Sequence, residues 1–194
     1  MQTLFRQEVE RFRDWAATYP LESRSGEWEC DYDHWRDLWR AFHSYITSNA
    51  PSSSNDETIS DVIYAIARDN EMEELVLDLS KTQAWFLFVL PAVLICNEAD
   101  ARWQFAKAIG GQILPFDVAE HALLQLVVDQ NEYVSRMALR ALGQIGSNFT
   151  ELYCERAWAT NQEYQRIMVL WALKAKGSSR LPEYVLLAKE DGRE

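Results

Sequence analysis

The chain has 194 residues, of which 48% are hydrophobic and 25% are charged, the balance of one globular soluble protein. Its net charge of −11 is concentrated in residues 1–80, which hold 17 acidic and 7 basic side chains, whereas residues 81–194 hold 13 and 12. A negative electrostatic field repels nucleic-acid phosphates and attracts cations. The composition therefore disfavours a nucleic-acid partner and favours a basic protein.

Two amphipathic helices are predicted at the start of the chain. Residues 3–19 place apolar side chains at steps of four and three, as one stripe on an α-helix, and Pro20 helps to end it. Residues 26–46 repeat this spacing with large apolar side chains at Trp28, Tyr32, Trp35, Trp39, Phe42 and Ile46. On one helix they would fall within an arc of about 80°. We interpret this stripe as core packing, with a partly exposed binding surface as the alternative.

The same segment is rich in carboxylates. Asp33 and Asp37 stand three residues before Arg36 and Arg40, a spacing that predicts ion pairs on a solvated helix face, and Asp31 is a candidate N-cap. We expect Asp33 and Asp37 to belong to an acidic flank that contacts the partner.

Zinc binding is the alternative interpretation of this segment. Cys30 and His34 are four residues apart among aspartates, a set that could ligate zinc from one helix. Zinc would still need ligands from elsewhere, and the other histidines, His43 and His121, carry no matching motif. No metal site is therefore predicted.

The following segments also read as helices. Residues 48–56 are rich in Ser, Asn and Pro and predict a linker. The apolar side chains of residues 59–66 mark a third helix, and those of residues 75–79 mark a short fourth one. No stretch alternates with period two, so no strand is predicted.

The second half contains a repeat. DARWQFAKAIGGQ (100–112), YVSRMALRALGQIGS (133–147) and YQRIMVLWALKAKGS (164–178) align at offsets of 33 and 31 residues. An apolar helix is predicted before each, at 84–96, 116–129 and 149–160, and a further helix begins near residue 181. Capping boxes are predicted for Asp117 with Glu120 and for Asn148 with Glu151.

The middle segment resembles the second helix of a HEAT repeat. The matching residues are Asn131, Val134, Ala138, Ala141, Leu142, Gly143, Ile145 and Gly146. Ser135 takes the usual Arg place, which Arg102 and Arg166 fill in the flanking segments, and Lys174 replaces the third glycine. The resemblance covers about residues 84–190. It implies an all-α fold, a right-handed α-solenoid (ARM/HEAT-like superhelix) of about three to four two-helix repeats with an N-terminal helical cap.

We therefore expect residues 1–194 to form a single all-α domain, with residues 1–80 as the acidic cap and residues 81–194 as the repeats. In such solenoids the second helices line the concave face. Two rows of equivalent residues, opposite the core positions, are then expected on an exposed strip: Trp103, Arg136 and Ile167, and Lys107, Arg140 and Trp171. We assign this strip to recognition of an acidic or aromatic peptide surface of the partner, with Arg and Trp as anchors, and a solvated helix face is the alternative.

The cytosol is the expected compartment. The first twenty residues lack the basic start and unbroken apolar segment of a secretory signal. Cys30, Cys96 and Cys154 are odd in number and far apart, which fits a reducing compartment. The longest apolar run, residues 84–96, is too short for a bilayer crossing, which needs roughly twenty residues.

The function predicted from these features is non-catalytic protein binding. The strong catalytic and cofactor motifs are absent, so no enzyme and no cofactor are predicted. Size and acidity are similar to those of small acidic bacterial immunity proteins, which implies sequestration of a cationic toxin domain. Alternatives are a scaffold or adaptor, and a HEAT-like enzyme related to bilin lyases or DNA glycosylases, although the net charge of −1 for residues 81–194 is unfavourable for a duplex binder.

Overall fold

The structure, a computed structural model, describes residues 3–190, which contain eleven α-helices and no strand. The all-α prediction is confirmed. The helices are α1 (Leu4–Thr18), α2 (Trp35–Ser48), α3 (Asp56–Arg68), α4 (Glu74–Ser80), α5 (Gln83–Ile95), α6 (Ala99–Gly110), α7 (Phe116–Leu126), α8 (Glu132–Gln144), α9 (Thr150–Ala159), α10 (Glu163–Lys176) and α11 (Leu181–Glu190). Among these helices none has the length and apolarity to cross a membrane.

The chain divides into two compact units, the first ending at Gln104 and the second starting at Phe105. The first unit has 19 acidic and 9 basic side chains, a net charge of −10, and the second has 11 and 10. The first unit therefore carries nearly all of the excess negative charge.

The first unit is built around α1, which packs on α2 and α3, while α4 contacts α2 and α5. The predicted stripe of α1 is buried at Phe5, Val9, Phe12 and Ala16. Thr3 caps α1 by accepting a hydrogen bond from the backbone N–H of Arg6. The spacing of apolar residues therefore predicted correctly which face of α1 packs inward.

The predicted helix over residues 26–46 is wrong in its first third. Residues Trp28–Asp31 form a 3-10 turn, and α2 begins only at Trp35. The Trp35 indole Nε1 donates to the Glu29 carbonyl at 2.8 Å, and the Tyr19 hydroxyl donates to the Asp31 carboxylate at 2.6 Å. These contacts hold the turn in a compact loop, so Asp31 is not the N-cap of α2.

The aromatic residues of this segment nevertheless meet in one cluster centred on Phe12. Its ring centroid lies 4.8 Å from that of Tyr32 and 5.1 Å from that of Trp35. Tyr32 and Phe42 are buried, as the core interpretation requires. The indoles at positions 28, 35 and 39 keep part of their surface exposed. The stripe is therefore mainly core with an accessible edge.

The second unit contains two of the three predicted helix pairs, α7 with α8 and α9 with α10. Here α8 packs on α10, α7 packs on α8, and α10 contacts both α9 and α11. The predicted core positions Ala138, Ala141 and Leu142 are fully buried. Asn131, which matches the family turn residue, caps α8 by accepting hydrogen bonds from the backbone N–H groups of Tyr133 and Val134.

Two close approaches in this unit recur at equivalent positions. A Cβ added to Gly110 would meet Ala141 Cβ at 3.1 Å, and one added to Gly143 would meet Ala172 Cα at 2.8 Å. Gly143 follows Gly110 by 33 residues and Ala172 follows Ala141 by 31, the offsets of the sequence repeat. Glycine is therefore required at position 143, where a Cβ would meet backbone atoms, and favoured at position 110.

Both predicted capping boxes are wrong, because their glutamates bond elsewhere. The Ser147 hydroxyl donates to Glu120 Oε1 at 2.5 Å, and the Ser178 hydroxyl donates to Glu151 Oε1 at 2.7 Å. Both serine hydroxyls also accept from the backbone N–H two residues ahead. Each glutamate thus ties its helix to the turn that follows the next helix.

Candidate partner-binding surfaces

The exposed side of α8 and α10 carries most of the strip predicted for partner binding. We call it the α8–α10 face and define it by Tyr133, Arg136, Arg140, Tyr164, Ile167, Trp171 and Lys174. Tyr164 is 63% exposed, Ile167 42% and Trp171 51%. The structure therefore brings together the four predicted residues of this unit that lie on α8 and α10.

Cations and aromatic rings alternate across this face. The Arg136 guanidinium carbon lies 4.7 Å from the Tyr133 ring centroid and 4.9 Å from that of Tyr164. The Arg140 guanidinium carbon lies 5.9 Å from the Trp171 ring, and Lys174 Nζ lies 5.3 Å from the same ring. Cation–π contacts of this kind hold the rings in place without burying them.

Tyr133, Tyr164 and Lys174 belong to this face and were not predicted. A signal for them exists in the sequence, since Tyr133 and Tyr164 are repeat equivalents at the 31-residue offset. Each also stands three residues before a predicted face residue, Arg136 or Ile167, so that the two share one helix side. Extending the two rows by one helical turn would have found them.

The prediction that Trp103 is exposed is wrong. Trp103 is only 6% exposed, and its indole Nε1 donates to Asp100 at 3.0 Å. The reason is that α6 is buried on nearly all sides: its buried residues are Ala101, Trp103, Gln104, Phe105, Ala106 and Ile109. Lys107 is exposed, as predicted. The exposed row that contains Arg136 and Ile167 therefore does not extend to Trp103 on α6.

The acidic residues assigned to the partner-facing flank lie at the surface. Asp33 is exposed in the loop before α2, and Asp37 is half-exposed in the first turn of α2. Asp37 lies 3.7 Å from Arg40, as its spacing predicts, and 3.9 Å from Arg11. Asp37 is therefore partly neutralised within the chain, which reduces its share of the negative field.

A cleft of about 230 Å³ lies beside the aromatic cluster of the first unit. Trp35 and Trp39 line one side, residues 68–72 at the end of α3 and in the following turn line another, and Glu29 and Cys30 complete it. We call it the Trp35–Trp39 cleft. The two indoles are stacked, with ring centroids 6.0 Å apart and planes at 23°.

Two buried carboxylates belong to this cleft. Asp69 is 2% exposed and accepts from the Leu75 backbone N–H at 2.8 Å and from the Trp39 indole at 3.2 Å. Burial raises the pKa of Asp69 from 3.8 to about 7, against the lowering effect of these two donors. Because each oxygen holds a donor, Asp69 fixes the turn between α3 and α4.

Glu29 is the second buried carboxylate and is less well satisfied. It is 4% exposed, and its Oε2 has no hydrogen-bond partner. Burial raises the pKa of Glu29, and the Arg68 guanidinium 3.9 Å away counteracts this shift. Neither buried acid was predicted, since sequence periodicity carries no signal for a carboxylate that a turn folds inward.

The pKa of Asp69 predicts a stability change with pH. The folded protein binds the proton of this carboxyl up to about pH 7, whereas the unfolded chain releases it near pH 3.8, so stability falls as pH rises between these values. Between pH 5 and pH 8 we expect Asp69 to remove about 2 to 3 kcal/mol from the free energy of unfolding.

Urea denaturation of matched variants measures this contribution. Asp69→Asn should lower stability at both pH values but flatten the difference between them by about 2 kcal/mol. Asp14→Asn removes an exposed acid from α1 and should leave the difference as in the wild type. If the free energy of unfolding changed equally with pH in the wild type and both variants, a raised pKa at Asp69 would be ruled out.

Within residues 3–190 no group of three or more His, Cys, Asp or Glu side chains is arranged to hold a metal ion. Cys30 lies in the 3-10 turn, while His34 precedes α2 and contacts Arg11 Nη2 at 2.8 Å.

Comparison of the chain with protein-family models, curated proteins and solved structures gives no match. The surfaces described above are therefore the basis for a functional proposal.

Proposed function

We propose that the chain is a non-catalytic protein-binding module and that the α8–α10 face is its principal docking surface. One observation carries this proposal: Tyr164, Ile167 and Trp171 leave about half of their surface in water on one side of one helix. Tyr, Trp and Arg are the residues that dominate binding energy at protein interfaces. Their exposure in one patch therefore favours a protein partner.

The face is also ordered before binding. The Arg136 guanidinium contacts two tyrosine rings, and the Trp171 ring is contacted by two cations, Arg140 and Lys174. Association then costs less conformational entropy than it would with freely rotating side chains. A pre-ordered aromatic patch supports a binding role better than a solvated helix face does.

The architecture proposed for this module is a HEAT-like right-handed α-solenoid. Two repeated contacts support it: the approach of Gly110 to Ala141 and of Gly143 to Ala172, and the bonds from Ser147 to Glu120 and from Ser178 to Glu151. Each contact recurs at equivalent positions of successive repeats. Stacking of similar structural repeats is the defining feature of solenoids.

The most concrete version of the proposal is an immunity protein that sequesters a cationic toxin domain. The net charge of −10 in the first unit supports it, because opposite charge accelerates encounter with a basic partner. A scaffold or adaptor would use the same face with several partners. The two versions differ in the number and charge of the proteins bound.

Trp171→Ala tests the docking surface. We expect this truncation to weaken partner binding by at least about 30-fold, the effect of losing an interface hot spot. The thermal transition should stay unchanged because half of the indole is in solvent. Affinity capture from the native host followed by mass spectrometry identifies the partner, and titration calorimetry with the purified partner then gives both affinities.

Leu21→Ala is the matched control, since Leu21 is a large apolar side chain that is exposed in the first unit. It should leave partner affinity within about twofold of the wild type. One dominant basic partner whose association slows with salt supports the immunity version, and several partners support an adaptor. Undiminished binding by the Trp171 variant would refute the assignment of the face.

A further inference from the structure

We propose that the Trp35–Trp39 cleft receives an arginine side chain of a basic protein partner. This inference rests on the proposed function in one respect, namely that the partner is a protein. It adds a second contact, in the acidic unit, with a defined chemical class of ligand. The size, the walls, the unpaired atoms and the charge of the cleft each point to a guanidinium.

Size limits the ligand first. The cleft holds about 230 Å³, below the range of about 300 to 1,000 Å³ typical of sites for whole organic ligands. One long side chain can enter such a space, whereas a nucleotide or a flavin cannot. The ligand is therefore a group that protrudes from a larger molecule.

The walls favour a cation with a flat face. The Trp35 indole donates to the Glu29 carbonyl and the Trp39 indole donates to Asp69, so both rings are fixed by their Nε1 atoms. The two rings stack on each other, and each keeps part of its surface exposed where it lines the cleft. Tryptophan is the best aromatic partner for a cation. A guanidinium stacks on such rings better than an ammonium, because it is planar and weakly hydrated.

The unpaired polar atoms of the cleft require hydrogen-bond donors. Among the buried side-chain atoms of the cleft residues, those without a partner are Glu29 Oε2 and Asn70 Oδ1, and both are acceptors. A buried acceptor without a donor costs about 1 to 3 kcal/mol. Arginine offers five N–H donors in a fixed fork, enough to serve both atoms once the two side chains turn toward the ligand.

The cleft carries negative charge, opposite to that of a guanidinium. Glu29 and Glu71 line it, and Asp69, whose pKa is about 7, adds a full negative charge only above neutral pH. The cation on its border, Arg68, is paired with Glu98 at 2.7 Å and lies over the Tyr64 ring. Arg68 therefore has its charge partly neutralised by a carboxylate of the same unit. An entering guanidinium would meet an excess of carboxylates in a partly desolvated site, where charge-assisted hydrogen bonds are strongest.

The test uses the full 194-residue chain labelled with nitrogen-15. It is titrated with a blocked Gly-Arg-Gly peptide and, separately, with the Gly-citrulline-Gly peptide, which has the same shape but no charge. We expect the indole N–H resonances of Trp35 and Trp39 to shift with the arginine peptide at a dissociation constant on the order of 1 mM, and at least about tenfold more weakly with citrulline. Phe substitutions at positions 35 and 39 assign the two resonances.

Two carboxylate variants locate the binding group. Glu29→Gln should weaken the arginine peptide by about tenfold, because it removes the charge that the guanidinium would pair with. Glu22→Gln removes an exposed charge from the turn after α1 and should change the affinity by less than about twofold. Equal binding of both peptides to the wild-type chain overturns the proposal even if the Glu29 variant does not fold.

The outcome is separable from that of the proposed function. A partner that depends on Trp171 while the arginine peptide causes no indole shift would leave the protein-binding function standing and remove the arginine site. Arginine-selective shifts in a chain that captures no protein would support the arginine site and refute the protein-binding function. The peptide titration and the capture experiment therefore fail independently.

Discussion

Gly143→Ala is expected to lower the free energy of unfolding by about 2 to 3 kcal/mol. The added Cβ would lie 2.8 Å from Ala172 Cα, 2.9 Å from its carbonyl carbon and still closer to its carbonyl oxygen. These are backbone atoms of α10, so α8 and α10 must separate to accommodate the methyl group. The buried contacts of Leu142 and Leu173 on either side would then loosen.

The sign of this change is diagnostic. In a helix whose surface is free, alanine stabilises relative to glycine by about 1 kcal/mol. Chemical denaturation that gives a more stable Gly143→Ala protein would therefore show that α8 and α10 do not approach as described.

Two matched substitutions complete the series. At Gly110 the nearest atom to an added Cβ belongs to the flexible Gln144 side chain, so Gly110→Ala should cost less than Gly143→Ala. Lys174 is the repeat equivalent of both glycines and is exposed, so Lys174→Ala should change stability by less than about 0.5 kcal/mol. Lysine is tolerated there because, in the described chain, only α11 follows α10.

Phe12→Ala is expected to cost about 3 to 5 kcal/mol, the range for truncating a buried phenylalanine. Phe12 is 1% exposed and lies at the centre of the aromatic cluster, within 5.3 Å of the ring centroids of Trp15, Tyr32 and Trp35. Its removal leaves a cavity among rigid rings that cannot collapse easily. Urea denaturation measures the loss, and reduced near-ultraviolet circular dichroism should accompany it.

Phe116→Ala is the control for this truncation. Phe116 begins α7 and is about half exposed, so its removal should change stability by less than about 1 kcal/mol. Similar losses for the two phenylalanines would contradict a cluster centred on Phe12. The comparison also separates a core effect from the general effect of losing a ring.

Helix periodicity predicted much of this molecule. The stripes of residues 3–19 and 59–66 lie on α1 and α3, and the three repeat segments lie on α6, α8 and α10. These predictions succeed because an amphipathic helix must bury one face, whatever its neighbours are. On α8 and α10 the same argument also placed the predicted rows outside the core, where Ile167 and Trp171 are exposed and Arg136 and Arg140 are half-buried.

The errors arise where a neighbouring segment determines the result. The 3-10 turn before α2 depends on hydrogen bonds from Trp35 to Glu29 and from Tyr19 to Asp31, and no local spacing encodes either one. Instead of forming the predicted capping boxes, Glu120 and Glu151 accept hydrogen bonds from serines 27 residues further along the chain. A local pattern cannot predict a competing partner that is distant in sequence.

The sequence by itself determined the helical class, the repeat with its 33- and 31-residue offsets, and the concentration of negative charge before residue 81. These follow from composition and periodicity, which are properties of a single chain segment. Only the tertiary structure decided that Trp103 is buried, that aromatic rings and cations interleave on the α8–α10 face, and that Glu29 and Asp69 enter the Trp35–Trp39 cleft. The reason is physical: burial and pKa depend on what covers a residue, and packing between distant segments sets that cover.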